Sequence, residues 1–198
     1  MAEFASNVKH GHRQLKLCVS GAADTGHCGP NALAKAKALG AEIVRQGAIL
    51  VTGATTGFPL WTSMGAKEAG GISIGLSPAA TEREHTEVYK LPVDYLDLII
   101  YTGFGYPMRD ILLTRSSDAV FIGCGRIGTI HEFTVAFEDG KPIGILEDPG
   151  WETGPEIEFI IEKGHRTNPK IVFDTDPKRL VEKVIALVMK DKIEEFKV

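Results

Sequence analysis

Short apolar runs alternate along this chain with stretches whose apolar residues fall at i, i+3, i+4 and i+7. The first run, LKLCVS at 15–20, stops at Gly21. Residues 31–46 follow with Leu33, Ala36, Leu39, Ile43 and Val44 at helical spacing, and Gly47 stands where a helix stops. The same cycle recurs. Strands are predicted at 48–52 (AILVT), 72–76 (ISIGL), 96–101, 119–122 (AVFI), 142–146 and 171–173, with helices at 60–69, 106–116, from the loop after the fifth strand to about 139, 155–163 and from Asp176 through Met189. Asp176 is a sound N-cap there, with Pro177 at the first helical position. Residues 77–94, with two prolines and many charges, read as loop with some short helix.

Strand and helix in strict alternation predict a parallel sheet covered on both faces, and runs that are apolar throughout agree with that burial. The fold class expected is a single doubly wound, Rossmann-like α/β domain at 13–198, with a mostly parallel sheet of about seven strands. Residues 1–12 are polar, lack an apolar signal core and read as a flexible arm. In such sheets a ligand lies beyond the carboxyl ends of the strands. The loops after the first, second and fifth strands all begin with glycine, at Gly21, Gly53 and Gly123.

Composition narrows the partners. A net charge of −4 offers no footprint for nucleic acid. No stretch approaches the ~20 apolar residues of a membrane span. Three cysteines, an odd number in dissimilar contexts, predict reduced thiols and a cytoplasmic protein. His10, His12, His27 and Cys28 straddle the first strand without a ligand spacing, so no metal is expected. Cys124 reads as loop filling, and Phe58, Trp61 and Trp151 either stack on a base or pack loops together.

The chemistry concentrates in GCGRIGTIHEF, residues 123–133. Gly125 and Gly128 let a ligand approach the backbone, Thr129 adds a hydroxyl, Arg126 either adds a phosphate contact or occupies the phosphate site itself, and the following helix aims free N–H groups at an anion. GATTGFP supplies Gly53, Thr55, Thr56 and Gly57 for a phosphate, and the first loop offers Gly21 and Asp24 for a polar ligand edge. The G-x-G-x-x-G spacing lies after the fifth strand rather than the first, which is weak support for a redox dinucleotide site. Ile130, Phe133, Thr134 and Phe137 form the core stripe of the helix, and Glu132 falls about 160° from its centre by 3.6-residue geometry. Glu132 is therefore either a solvated first-turn carboxylate or a group turned into a cleft. Arg109 poses the same choice between a surface arginine and an anion clamp.

Taken as one string, YPMRDILLTRSSDAVFIGCGRIGTIHEF resembles the signature of the Lonely-Guy (LOG) family, long mislabelled as possible lysine decarboxylases. That family carries Arg-Lys on a helix, Asp-Ala opening a strand, then P-G-G-x-G-T-x-x-E. Arg109, Asp118-Ala119, Gly125, Gly128, Thr129 and Glu132 match, and the likeness extends over residues 15–146. It implies a homodimer or higher homo-oligomer that binds a small-molecule phosphate ester, without a required cofactor. In the enzymes of the family it implies a phosphoribohydrolase that cleaves the N-glycosidic bond of a nucleoside 5′-monophosphate, with Glu132 and Arg109 catalytic. Nothing resembles a pyridoxal phosphate lysine site. Asp110 replaces the motif lysine, Cys124 its proline, Arg126 its second glycine, and GATTG a glycine triplet. The alternative is a carrier or sensor of a nucleotide-like ligand, as in the molybdenum cofactor carriers of the same superfamily.

Overall fold

The apolar runs pair as the pattern demands. In the computed structural model, which describes residues 14–195, the strands are β1 (Lys16–Ser20), β2 (Ile49–Thr52), β3 (Ser73–Ser77), β4 (Leu98–Tyr101), β5 (Ala119–Ile122), β6 (Ile143–Leu146) and β7 (Ile171–Asp174). They form one seven-stranded sheet in the order β4-β3-β2-β1-β5-β6-β7, and every neighbouring pair is parallel. The expected arm at 1–12, with His10 and His12, lies outside the described residues.

The helices are α1 (Ala32–Arg45), α2 (Phe58–Glu68), α3 (Gly105–Ser116), α4 (Ile127–Glu138), α5 (Thr153–Gly164) and α6 (Pro177–Glu195). Alternate strand residues feed two separate cores. Leu17, Val19, Leu50, Ala119 and Phe121 pack under α1, α2 and α6, whereas Cys18, Val51, Val120, Ile122 and Ile143 pack under α3, α4 and α5. Both faces are therefore dry, which is why the central strands show no polar alternation. Arg179 N donates to Asp176 Oδ1 at 2.9 Å, the expected N-cap bond of α6. That helix runs past the expected end at Met189, where Lys192 reaches Asp118 Oδ1 at 2.9 Å and Asp191 accepts from Lys170 at 2.7 Å. Residues 78–97 hold one short helical turn, Glu84–Val88, anchored by buried His85 between Ser77 Oγ and the Pro92 carbonyl.

From β4 the chain crosses to the other side of β1 and resumes at β5. The strand order reverses there, and the loops leaving β1 and β5 diverge above a crevice.

Candidate functional site

Three loops meet at this reversal. Gly123 N donates to Ser20 O at 2.9 Å, Ala22 N to Cys124 O at 2.8 Å, and Phe58 N to Ala22 O at 2.9 Å. The β1 loop is thus tied by backbone bonds to the β5 loop on one side and to the start of α2 on the other. Gly57 has a φ of +69°, and a Cβ there would collide with the carbonyls of Ala22 and Ala23, so this junction requires glycine. Phe58 and Trp151 pack edge to face with centroids 5.8 Å apart, and both are buried. Of the two expected roles for these rings, loop packing is the one observed; Trp61 also packs against the core.

Between the loops lies a cleft of about 320 Å³. Gly21, Asp24, Gly53, Thr55, Arg126, Gly128 and Thr129 line it, as do Arg109 and Glu132. The other three expected binding residues stand behind this lining. Thr56 Oγ1 donates to Ala23 O at 3.1 Å, Gly57 holds the loop junction, and Gly125 N donates to Thr153 Oγ1 at 2.8 Å. Thr153 returns a bond to Gly125 O at 3.0 Å. The Gly125 amide is therefore used within the protein. The free donors are further on, because the first intrahelical bond of α4 runs from Ile130 N to Arg126 O and leaves the amides of Ile127, Gly128 and Thr129 ahead of it.

Glu132 is buried, which overturns the solvated alternative: the side of α4 away from the sheet packs against α3 and the cleft floor. Its carboxyl accepts a hydrogen bond from Ser20 Oγ. Burial, and next the neighbouring Asp110 carboxylate, raise its pKa to about 7 against the opposing pull of Arg109 and the Ser20 bond. The Asp110 carboxylate neighbours Glu132, and its Oδ2 lies 3.1 Å from His131 Nδ1. The result is a chain of polar groups, Ser20–Glu132–Asp110–His131, from the end of β1 to a half-exposed histidine.

Arg109 is buried as well, and one end of its guanidinium is committed to the protein. Nη1 donates to Gly53 O, and more weakly to Leu76 O at 3.3 Å. Nε stands 3.0 Å from Asp110 Oδ1, outside hydrogen-bonding alignment. A side chain at Gly53 would occupy the place of Nη1, so glycine there admits the arginine. The ring of Tyr106 lies 5.6 Å beneath the guanidinium carbon. Arg109 therefore braces the β2 and β3 loop ends from below the cleft.

Residue type did not single out Ser20, His27, Tyr106 or Asp110 as cleft residues. Position signals two of them: Ser20 ends the central strand, and Tyr106 opens the helix that carries Arg109.

The sequence profile of the SLOG cluster4 family matches residues 14–181, nearly all of the described chain. The chain belongs to the SLOG cluster4 family. An uncharacterised protein of Archaeoglobus fulgidus is 29% identical over 135 residues, which is 68% of this chain and 83% of that one. The molybdenum cofactor binding protein of Rippkaea orientalis superposes with a TM-score of 0.72 at 27% identity, over 89% of this chain and 98% of its own. The molybdenum cofactor carrier protein of Chlamydomonas reinhardtii gives 0.70 at 28%, over 89% and 99%.

In this SLOG cluster4 chain the cysteines correct an expectation. Cys28 and Cys124 form a disulfide, their Cα atoms 5.7 Å apart, and only Cys18 is free. An odd count cannot reveal which two cysteines share a loop contact. The strand reversal brings these two together across 96 residues of sequence. Burial holds the Cys18 thiol well above its ordinary pKa, so it is a poor nucleophile.

Proposed function

We propose that this protein binds and carries a phosphorylated, nucleotide-like small molecule of the molybdenum cofactor type, and does not hydrolyse it. The observation that carries this reading is the state of the two expected catalytic groups. Arg109 Nη1 is engaged by the Gly53 and Leu76 carbonyls, and Glu132 is held near half-protonation beside Asp110 at neutral pH. A carboxylate that is only partly ionised at neutral pH stabilises positive charge growing on the ribose less than a fully ionised one. The same cleft keeps what a carrier needs: open amides at Gly128 and Thr129, the Arg126 side chain, and hydroxyls at Thr55 and Thr129. The similarity to a cofactor binding protein and a cofactor carrier protein, over almost their whole lengths, supports it.

The ligand phosphate would sit against Gly128, Thr129 and Arg126, with Gly21, Asp24, Gly53 and Thr55 around the remainder. Among the described residues no helix is long and apolar enough to cross a membrane, and a cytoplasmic location is part of the proposal. So is self-association. Leu98 and Ile100 of β4 lie on the same sheet face as α3 by register with Ile74 and Leu76, and they are exposed together with Met108 and Leu112 of α3. A second copy would cover this apolar surface.

The test is anaerobic purification followed by quantitation of bound molybdenum and pterin, beside a thermal-shift panel of nucleoside 5′-monophosphates with chromatography for free base. Bound cofactor, or stabilisation without release of base, supports the carrier. Base release that disappears in Glu132→Ala would replace it with the hydrolase.

A further inference from the structure

His27, Cys28 and Cys124 offer one ligand atom each within 4.8 Å of one another, at the point where the β1 and β5 loops touch. None of the three is needed by the cleft chemistry described above. The His27–Cys28 pair has the spacing of two zinc ligands, and Cys124 would reach the same ion once its sulfur parts from that of Cys28. Zinc bonds of about 2.05 Å to nitrogen and 2.3 Å to sulfur, at tetrahedral angles, place the two ligand atoms about 3.6 Å apart. His27 Nε2 and Cys28 Sγ are 3.6 Å apart. The two sulfurs are joined here, so a metal requires that bond to open first.

We propose that reduction of Cys28–Cys124 creates, with His27, a three-ligand site for Zn²⁺ on the wall of the cleft, and that oxidation to the disulfide closes it. The chemistry balances. A dithiol reductant gives two electrons and two protons to the Cys28–Cys124 bond and becomes a disulfide itself. Zn²⁺ then displaces the two thiol protons and binds both thiolates and the imidazole. Two sulfurs and one nitrogen suit zinc or a similarly thiophilic ion rather than magnesium or calcium. Both cysteines are fully buried, whereas His27 reaches the cleft, so the fourth coordination position opens toward whatever occupies the cleft. His27 Nδ1 is buried with no hydrogen-bond partner among the described residues, so this ring is not held by the fold through its second nitrogen. On the cytoplasmic location proposed above, on which this switch rests, the disulfide meets reductants able to open it.

The proposal does not depend on the identity of the cleft's ligand. It is tested on the full-length protein, reduced with dithiothreitol and desalted without air, then titrated with Zn²⁺ against a chromophoric chelator. Co²⁺ serves as the spectroscopic probe of thiolate ligation. One equivalent of zinc per chain is expected in the reduced protein and none in the oxidised protein, with Co²⁺ showing thiolate charge-transfer absorption. Cys28→Ser and Cys124→Ser should each abolish that absorption. His27→Ala, a change in a half-exposed loop residue, should weaken zinc binding by about tenfold or more while thermal unfolding stays unchanged. Cys18→Ala should bind zinc normally. Reduced protein that takes up no zinc, or zinc retained at full affinity in His27→Ala and the Cys28→Ser/Cys124→Ser double variant, would overturn the site.

Discussion

The Ser20 hydroxyl donates to the Glu132 carboxyl across 112 residues of sequence, joining the end of the central strand to the second turn of α4. This bond fixes the carboxyl over the reversal of strand order, where burial and Asp110 push its proton affinity up. Glu132 is thus a buried carboxyl facing a second carboxylate, and its own proton is held up to near neutral pH.

Glu132 makes stability fall as pH rises. Below about pH 4.5 the carboxyl of Glu132 is protonated in both folded and unfolded chains and costs nothing. Between about 4.5 and 7 the unfolded chain ionises while the folded one keeps its proton, so the folded state loses ground up to the native pKa of about 7. The loss is of the order of 3 kcal/mol for a shift of this size. Denaturant unfolding of the wild type and Glu132→Gln from pH 4 to 8 should show the wild type losing stability relative to the variant as pH rises. Parallel pH curves would show that Glu132 is an ordinary ionised carboxylate.

Arg109 is expected to act on stability before it acts on ligand. Arg109→Ala leaves the buried Asp110 carboxylate without its neighbouring cation and the Gly53 carbonyl without its donor. Removing one partner of a buried ion pair costs about 3–5 kcal/mol. Arg109→Lys should recover only part of this, because an ammonium lacks the planar fork that spans Gly53 O, Leu76 O and Asp110. The midpoint of urea unfolding decides. An Arg109→Ala protein as stable as the wild type would restore the arginine to a role as ligand clamp.

At the far edge of the sheet, Asp174 caps the turn into α6. Its carboxylate accepts from Arg179 at 2.8 Å, Lys183 at 2.8 Å and Asp176 N at 2.9 Å, and the Arg179 bonds above all hold its pKa well below the usual range. A depressed pKa stabilises the fold above the unfolded value and is lost on acidification, here as pH falls below about 4. Asp174→Asn should cost about 1–2 kcal/mol at pH 7, since both basic partners are more than half exposed and water screens them. The gap between variant and wild type should narrow below pH 4. A constant gap would assign the loss to packing rather than charge.

The fold was legible because β1, β5 and β6 are continuous apolar runs, and each loop between them ends on a glycine or a cap that the period of the next helix confirms. The place of Gly128 and Thr129 on the cleft wall was legible for the same reason: a glycine-rich loop between a buried strand and a helix lies at the carboxyl edge of the sheet. The failures came where two distant segments meet. Cys28 and Cys124 look unrelated until the strand order places their loops side by side. Gly125 looks like a ligand contact until Thr153 of α5 takes its amide. Periodicity turned Glu132 away from the sheet correctly, but only the packing of α4 against α3 shows that the direction is inward. Local pattern reports the state of a segment. It carries little about which side chain across the chain will claim a given donor.

The exposed apolar residues of β4 and α3 supply a last prediction. Leu98, Ile100, Met108 and Leu112 are each more than a third exposed, and Phe104 at the start of α3 is 58% exposed. Large apolar side chains gathered on one face are costly in water at roughly 25 cal/mol per Å², so a monomer would carry an unmet driving force for association. β4 is also an edge strand, whose outer backbone groups have no neighbour in the sheet among the described residues. If a second copy covers this face, Met108→Glu with Leu112→Glu would bury charges against apolar partners and shift the protein to monomer. Sedimentation equilibrium at several concentrations measures this directly. Ligand binding in the cleft should survive in the double variant, because neither side chain lines the cleft. A wild type that sediments as a monomer at every concentration would remove the self-association proposal and leave the carrier reading intact.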